Sequence, residues 1–457
     1  MKQVLRSVVA VIFTLFASLQ VAEAQQRKCG SEILNRHLAE IFPNSKEMLQ
    51  RTMDEHVALA QEMKAHANYK TTANTGIIPV IFHIILNETQ IAKLGGEAGI
   101  ARRVDSQIAV INRDFNRQNP DSSKIPAAFK SLYGNAGIHF AAARRSPDGA
   151  ATSGYEILTT TASGFEESSS IGSGMGFTEA KFLNGKATAW NPDVYLNVWV
   201  VNPLDGGQSA SILGLCMPPS FLNYGIPGLT KNELGVVLNW GAFGVRTVFT
   251  DYYISGITGG RTLTHELGHY FELRHIWGDD DGKCVGNGGT DDGIADTPPQ
   301  ADASYGCPTY PYLDACVTSG DGIMFMNFMD YVNDACMQMF TNGQVAVMQA
   351  MVAPGQASYP LTQNPDVLLW PTAVNDVAAN TELAIYPNPA TGTIYISGGD
   401  GLSQVRVFDM AGRAVLQQNT DNTQAQHKFD ISALTKGIYL VHCTTGNGTT
   451  VKKLVVQ

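Results

Sequence analysis

The sequence predicts an α/β upper lobe over an irregular lower lobe, followed by a small all-β sandwich. Three observations carry this. Between residues 77 and 202 of the 457-residue chain, short Val- and Ile-rich runs alternate with segments of helical periodicity. After residue 275 the chain turns to loops, and four cysteines, Cys284, Cys307, Cys316 and Cys336, fall in that stretch. Beyond residue 382, short strand-like runs are separated by glycine and polar turns.

The N-terminus reads as a secretory leader over residues 1–24. Lys2 and Arg6 give a basic start, Val8 to Leu19 a mostly apolar run too short to span a bilayer comfortably, and Ala22-Glu23-Ala24 a small-x-small cleavage site. A membrane anchor is the alternative. Residues 25–74 are polar and helix-prone and precede the first buried strand, as a propeptide would. The main domain is placed at 75–355, with strands over 77–86 and 194–202 and a helix over 100–117. Residues 356–381, rich in Pro, Asn and Ala, read as a linker. In the C-terminal domain, 382–457, strands are expected at 393–397, 404–409, 414–417, 437–443 and 450–456, opened by Leu383-Ala384-Ile385-Tyr386-Pro387-Asn388-Pro389.

The chemistry concentrates in His265-Glu266-Leu267-Gly268-His269-Tyr270-Phe271-Glu272-Leu273-Arg274-His275. In a helix, His265 and His269 stand one turn apart on the same face, where two imidazoles reach one Zn²⁺ at roughly 2.0–2.1 Å each. Glu266 lies beside the metal rather than on it and is placed to take a proton from the attacking water. His275 completes a three-histidine site only if the helix stops and the chain turns back. One coordination position then stays open, as in a catalytic zinc site. The alternative is a surface helix with three incidental histidines.

This spacing resembles the metzincin clan of zinc endopeptidases. Their motif carries Gly at the eighth position, where this chain has Glu272. A non-Gly residue held at positive φ costs on the order of 1–2 kcal/mol, so the turn there is either different or strained. Downstream, Met326-Asn327-Phe328-Met329-Asp330-Tyr331-Val332-Asn333-Asp334-Ala335-Cys336 resembles the methionine turn of the clan. The resemblance makes Met329 the apolar floor under the ligands and Tyr331 a hydrogen-bond donor to the oxyanion. Read without it, these methionines are core filler.

Within the clan the chain resembles the pappalysin (cytophagalysin-like) family over roughly residues 75–355. The carrying stretches are Ile78-Pro79-Val80-Ile81-Phe82-His83-Ile84-Ile85, Gln107-Ile108-Ala109-Val110-Ile111-Asn112-Arg113-Asp114-Phe115, Tyr195-Leu196-Asn197-Val198-Trp199-Val200 and His275-Ile276-Trp277-Gly278-Asp279. Four cysteines allow three pairings, or a structural zinc; the family resemblance implies Cys284–Cys316 and Cys307–Cys336. It also implies Ca²⁺ near the acidic loop Thr290-Asp291-Asp292-Gly293-Ile294-Ala295-Asp296-Thr297-Pro298, with Asp292, Asp296 and Thr297 as candidate ligands. The residues alone permit either an oxygen-rich calcium loop or a solvated acidic turn. Asp334 matches the position at the floor of the pocket for the residue after the scissile bond, where a carboxylate favours Arg or Lys; it also fits a solvated loop. Arg27-Lys28-Cys29-Gly30 resembles a latency motif in which Cys29 binds the zinc; alternatively Cys29 is an incidental thiol. Cys216 and Cys443 are expected to stay unpaired.

The C-terminal domain resembles the sorting domain of the Bacteroidetes type IX secretion pathway, on Tyr386-Pro387-Asn388-Pro389, Val407-Phe408-Asp409, Leu434-Thr435-Lys436-Gly437-Ile438-Tyr439-Leu440-Val441 and Lys452-Lys453-Leu454-Val455-Val456-Gln457. An accessory substrate-binding sandwich is the other reading. The expected partners are protein or peptide substrates and the type IX secretion machinery. No phosphate loop or basic patch is evident, and a net charge of −10 disfavours nucleic acid. A monomer without a transmembrane segment in its mature form is expected, secreted or held on the outer surface of a Gram-negative cell. Together these readings predict a latent, secreted zinc endopeptidase. The competing functions are a degenerate metzincin that binds peptides without cutting, and a small-molecule zinc hydrolase.

Overall fold

The computed structural model describes residues 28–65, 76–167, 177–370 and 383–457, apart from residues 206, 227, 249–250, 280–281, 286, 288, 398–400, 410–412, 421–425 and 446–447. The leader over 1–24, Arg27, the propeptide boundary at 74–75 and the later part of the expected linker, residues 371–381, lie outside the described residues. The chain divides into two compact units, residues 1–371 and 372–457.

The strands of the first unit are β1 (Lys28–Cys29), β2 (Ile77–Ile84), β3 (His139–Ala142), β4 (Tyr155–Ile157), β5 (Phe165–Glu166), β6 (Leu196–Val201), β7 (Pro203–Asp205), β8 (Gln208–Ser209), β9 (Ile212–Met217) and β10 (Gly235–Asn239). The main sheet runs β1-β9-β10-β6-β2-β3, with β4 also on β2; β5, β7 and β8 form a small separate sheet. β2, β6, β9 and β10 are apolar runs buried almost throughout, as strands covered on both faces must be. All pairings in the main sheet are parallel except β9 with β10. In that order β9 lies near the sheet margin, with only the two-residue β1 beyond it.

Across the sheet lies the helix Gly96–Phe115, whose buried residues Ile100, Val104, Gln107, Ile111 and Phe115 recur at helical spacing. It begins four residues before the helix expected from residue 100, because Gly95, at φ 87°, turns the chain into it. It packs on the helix Arg261–Tyr270, and the two are locked by charge. Arg261 bonds the carboxylates of Asp114 and Asp121 and the carbonyls of Asp334 and Met337. Breaking such a buried pair costs about 3–5 kcal/mol.

Between the helices Arg261–Tyr270 and Asn342–Met351, no helix or strand element forms among the described residues. Two disulfides, Cys284–Cys316 and Cys307–Cys336, stand in for regular structure there, each contributing about 2–4 kcal/mol. Met324, Met326, Met329, Met337 and Met339 are all fully buried, and flexible thioethers suit so irregular a core. Cys29, Cys216 and Cys443 are free and buried.

The linker expected to start at residue 356 starts later. Leu361 and Thr362 are buried, and the backbone amides of Arg144 and Arg145 donate to the Val367 carbonyl, so this stretch is anchored to the first unit up to residue 370. Low periodicity misread it, because the 3-10 turn Tyr359–Gln363 buries Leu361 and Thr362 without a helix or strand pattern, and a second, Pro365–Leu368, follows it.

The second unit contains β11 (Ala384–Tyr386), β12 (Thr393–Ser397), β13 (Gln404–Phe408), β14 (Ala414–Asn419), β15 (Gln426–Asp430), β16 (Gly437–Thr445) and β17 (Gly448–Val456). Two antiparallel sheets, β11-β12-β15 and β14-β13-β16-β17, enclose one apolar core that includes Ile394, Ile396, Val405, Val407, Phe429, Val441 and Leu454. β15, absent from the sequence reading, is Gln-His-Lys-Phe-Asp; only His427 and Phe429 point inward, which leaves too weak an apolar alternation to detect.

Candidate active site

The helix Arg261–Tyr270 ends where required. Gly260, at φ 74°, starts it, and after Tyr270 the chain folds back through Glu272, whose φ is 71°. The strain anticipated at the eighth motif position is therefore present and is borne by a glutamate. The turn brings the Nε2 atoms of His265, His269 and His275 within 3.1–3.3 Å of one another.

Each ring is fixed from behind. His265 Nδ1 lies 2.7 Å from the Phe328 carbonyl, His269 Nδ1 2.8 Å from the Leu273 carbonyl, and His275 Nδ1 2.6 Å from Asp279 Oδ1. Since a carbonyl only accepts, Nδ1 of His265 and His269 must carry the proton, and Nε2 presents a lone pair inwards. Burial and the neighbouring His275 lower His269 to about 3, which keeps it neutral. Imidazole nitrogens gathered at this separation suit a cation between them. Tetrahedral bonds of roughly 2.0–2.1 Å would space the nitrogens by about 3.3 Å, so the residues fit zinc. Trp277 stacks on His275, ring centroids 4.3 Å apart and planes 5° from parallel.

Met329 packs its sulfur against Gly268 so closely that a Cβ there would displace the thioether. Asp330 is buried beneath the turn, accepting from Ser304 N, Tyr331 N and Gln300 Nε2. Burial raises its carboxyl to about 6. Tyr331 is thereby brought to the metal side, its ring centroid 4.9 Å from that of His275.

β1 lies parallel along β9, with Cys29 opposite Gly214. Cys29 Sγ and the three imidazoles form one group of potential ligands, all within 4.8 Å of one another and all buried. Cys29 Sγ is also 3.4 Å from Glu266 Oε2 and 3.1 Å from Ser31 Oγ. Burial and then Glu266 push the thiol well above its ordinary value, a tendency that a bound cation would reverse. Tyr331 Oη accepts from Cys29 N at 3.1 Å and donates to Glu32 Oε1 at 2.9 Å.

The remaining expected residues lie elsewhere. Asp292 Oδ1 accepts from Ile294 N at 3.1 Å and lies 2.6 Å from Thr297 Oγ1, while Asp296 Oδ2 accepts from Gly343 N at 2.9 Å. The second oxygen of each carboxylate, Asp292 Oδ2 and Asp296 Oδ1, is buried without a hydrogen-bond partner. Asp334 is buried, and its Oδ2 accepts from Gly259 N at 2.7 Å and Arg261 N at 3.4 Å.

Sequence reasoning missed Glu32, Ser220 and Gly214, and named Asp279 without its role beside His275. Asp279 had a signal, since it sits four residues past the third histidine. Gly214 had none: a Cβ there would lie 2.6 Å from Glu266 Oε1, a proximity that arises only when β9 and the helix pack together.

A helix supplying two imidazoles and a carboxylate, a sharp turn supplying the third imidazole, and a methionine turn below define the class of zinc-dependent metalloproteases. The family model described as pregnancy-associated plasma protein-A matches residues 180–353, and that of a secretion system C-terminal sorting domain matches residues 384–457. The chain is similar to Tannerella forsythia promirolysin (35% identity, 74% of this chain and 97% of that one, TM-score 0.59). It is likewise similar to mature mirolysin of the same organism in complex with a cleaved peptide (38% identity, 64% and 98%, TM-score 0.53). The chain belongs to the pappalysin family of metalloproteases. Extracellular metalloproteases of Arthroderma gypseum (43% identity over 93 residues, 20% of this chain and 29% of that protein) and Sordaria macrospora (47% over 85 residues, 19% and 27%) are also similar. The matched segment thus spans less than a third of these curated relatives. The sorting domain marks the chain for export across the outer membrane, to the cell surface or beyond. Among the described residues, no helix is long and apolar enough to cross a membrane.

Proposed function

We propose that the protein is a zinc-dependent endopeptidase made as a latent precursor and exported through type IX secretion. The observation that carries this is the cluster of three inward-facing Nε2 atoms beside Glu266. Zinc, held by His265, His269 and His275, would supply Lewis-acid polarisation of the scissile carbonyl and acidify water. Glu266, on the side of the cluster facing Gly214, takes the proton of the attacking water and returns it to the leaving amine. Tyr331 donates its hydroxyl proton to the developing oxyanion.

In the precursor Cys29 holds the open zinc position and β1 holds the β9 edge, so the propeptide occupies the place where an extended substrate would add a strand. Proteolysis before residue 75 would free the cleft between the α/β and loop-rich parts. Asp334 is proposed to set a preference for Arg or Lys after the scissile bond. Its burial supports a charge-pairing role, and the bonds from Gly259 and Arg261 would hold it rigid. Asp292, Asp296 and Thr297 are proposed to bind Ca²⁺. The unpartnered oxygens support this, as does the carboxyl of Asp292, which burial raises to about 8 and a divalent ion would ionise.

The test is cleavage of denatured protein by the activated wild type and the Glu266→Ala variant, with and without chelation and zinc restoration. We expect activity in the wild type only, lost on chelation and recovered with one zinc per chain. Equal cleavage by the variant, or activity indifferent to chelation, overturns the reading.

A further inference from the structure

The eighth position of the zinc motif does something here that glycine could not. Glu272 adopts φ 71°, a left-handed conformation that costs a residue with a Cβ. Its amide donates to the His269 carbonyl at 2.9 Å, and the next residue, Leu273, supplies the carbonyl that orients the His269 ring. The side chain leaves this turn and reaches another element. Oε1 accepts from Ser220 N at 3.0 Å and Oε2 from Ser220 Oγ at 2.8 Å. Ser220 is buried and stands three residues beyond Met217, where β9 ends. β9 is the strand that carries Gly214 past Glu266 and receives β1.

Resting on the endopeptidase reading above, we infer that Glu272 is a positioning residue that ties the turn between the second and third histidines to the outgoing end of the peptide-binding edge strand. The tether sets how far the Met217 end of β9 stands from the metal, and hence how one end of an extended substrate seats. The propeptide rests on the same point, since His56 Nδ1 lies 3.8 Å from Glu272 Oε2. Glycine would relieve the turn and abandon this link.

The experiment uses full-length precursor, activated, in wild-type, Glu272→Gln, Glu272→Gly and Ser220→Ala forms. Two peptide series are cleaved, one lengthened before the scissile bond and one after it, and zinc retention is measured by competition with a chelator. In Glu272→Gly we expect KM to rise about fivefold to tenfold, as the loss of one or two buried hydrogen bonds implies. The rise should be confined to one series, with kcat and zinc affinity within about threefold of wild type. Glu272→Gln keeps an acceptor for Ser220 N and offers an amide to Ser220 Oγ, so it should restore KM. Ser220→Ala should give a smaller rise in the same series, and it carries the test alone if Glu272→Gly does not fold. Unchanged KM in both series, or losses equal in both and accompanied by zinc loss, overturns the inference. Wild-type protein that binds zinc and cleaves neither series would instead refute the endopeptidase reading on which it rests.

Discussion

Glu32 Oε1 lies 2.9 Å from the hydroxyl of Tyr331, and the same hydroxyl accepts from Cys29 N at 3.1 Å. The phenol proposed to serve the oxyanion is thus engaged as donor and as acceptor by the N-terminal segment, the proposed propeptide. Latency would then rest on the Cys29 thiol at the metal, strand β1 on the edge of β9, and the Glu32 clamp on Tyr331. A hydrogen bond to a charged group contributes about 1.5–3 kcal/mol. Precursor carrying Cys29→Ala should therefore retain partial latency, and Cys29→Ala with Glu32→Gln should activate about tenfold faster than the single variant. Time courses of processing and peptide cleavage check this. Equal rates would show that the clamp holds nothing.

Tyr331 itself is testable once the propeptide has left. Tyr331→Phe keeps the ring against His275 and removes the donor. Loss of one oxyanion donor costs about 10²–10³ in kcat. We expect a fall of that order with little change in KM, read from steady-state kinetics on a single peptide. A change in KM alone would assign the phenol to binding.

Gly214→Ala separates folding from catalysis. The added methyl would stand 2.6 Å from Glu266 Oε1, and a carboxylate side chain can swing away more easily than backbone can. The fold should survive with a thermal midpoint within a few degrees of wild type, while kcat drops by roughly the 10²–10⁴ attributed to a general base. Full activity would place the working position of Glu266 elsewhere.

Asp330 gives a pH dependence with a definite sign. Its folded value is raised from 3.8 to about 6 by burial. The folded state therefore holds a proton that the unfolded chain has released, and stability falls as pH rises through this window. At about 1.4 kcal/mol per unit the loss is on the order of 2–3 kcal/mol, complete above the folded value. Asp330→Asn mimics the neutral form, although Gln300, whose Nε2 donates to the carboxylate, must turn to accept from the new amide. The variant should flatten the thermal midpoint against pH between 4 and 6. An unchanged slope would show that other groups set it.

Calcium is checked by stability rather than activity. Ca²⁺ at about 100 times its dissociation constant should stabilise the fold by about 2.7 kcal/mol. Asp292→Asn, which replaces one of the orphaned buried oxygens, should abolish that gain. A midpoint indifferent to Ca²⁺ in the wild type would leave the loop as a purely protein-bonded turn.

The pairing of His265 and His269 was legible because helix geometry is local: residues four apart must share a face, whatever the remainder of the chain does. The apolar runs of β2 and β6 were legible for a similar reason, since only strands buried on both faces read as unbroken Val and Ile. Periodicity failed at β15 and at residues 356–370, where burial is achieved without a regular pattern. What only the tertiary structure decided are the meetings between distant segments: Glu32 with Tyr331 across 299 residues, Glu272 with Ser220, and the Gly214 backbone with Glu266. Hydrogen bonds and close contacts of this kind leave no periodic trace in the sequence. They depend on how the β9 edge, the zinc turn and the propeptide are packed together, and that packing is a property of the whole first unit rather than of any one segment.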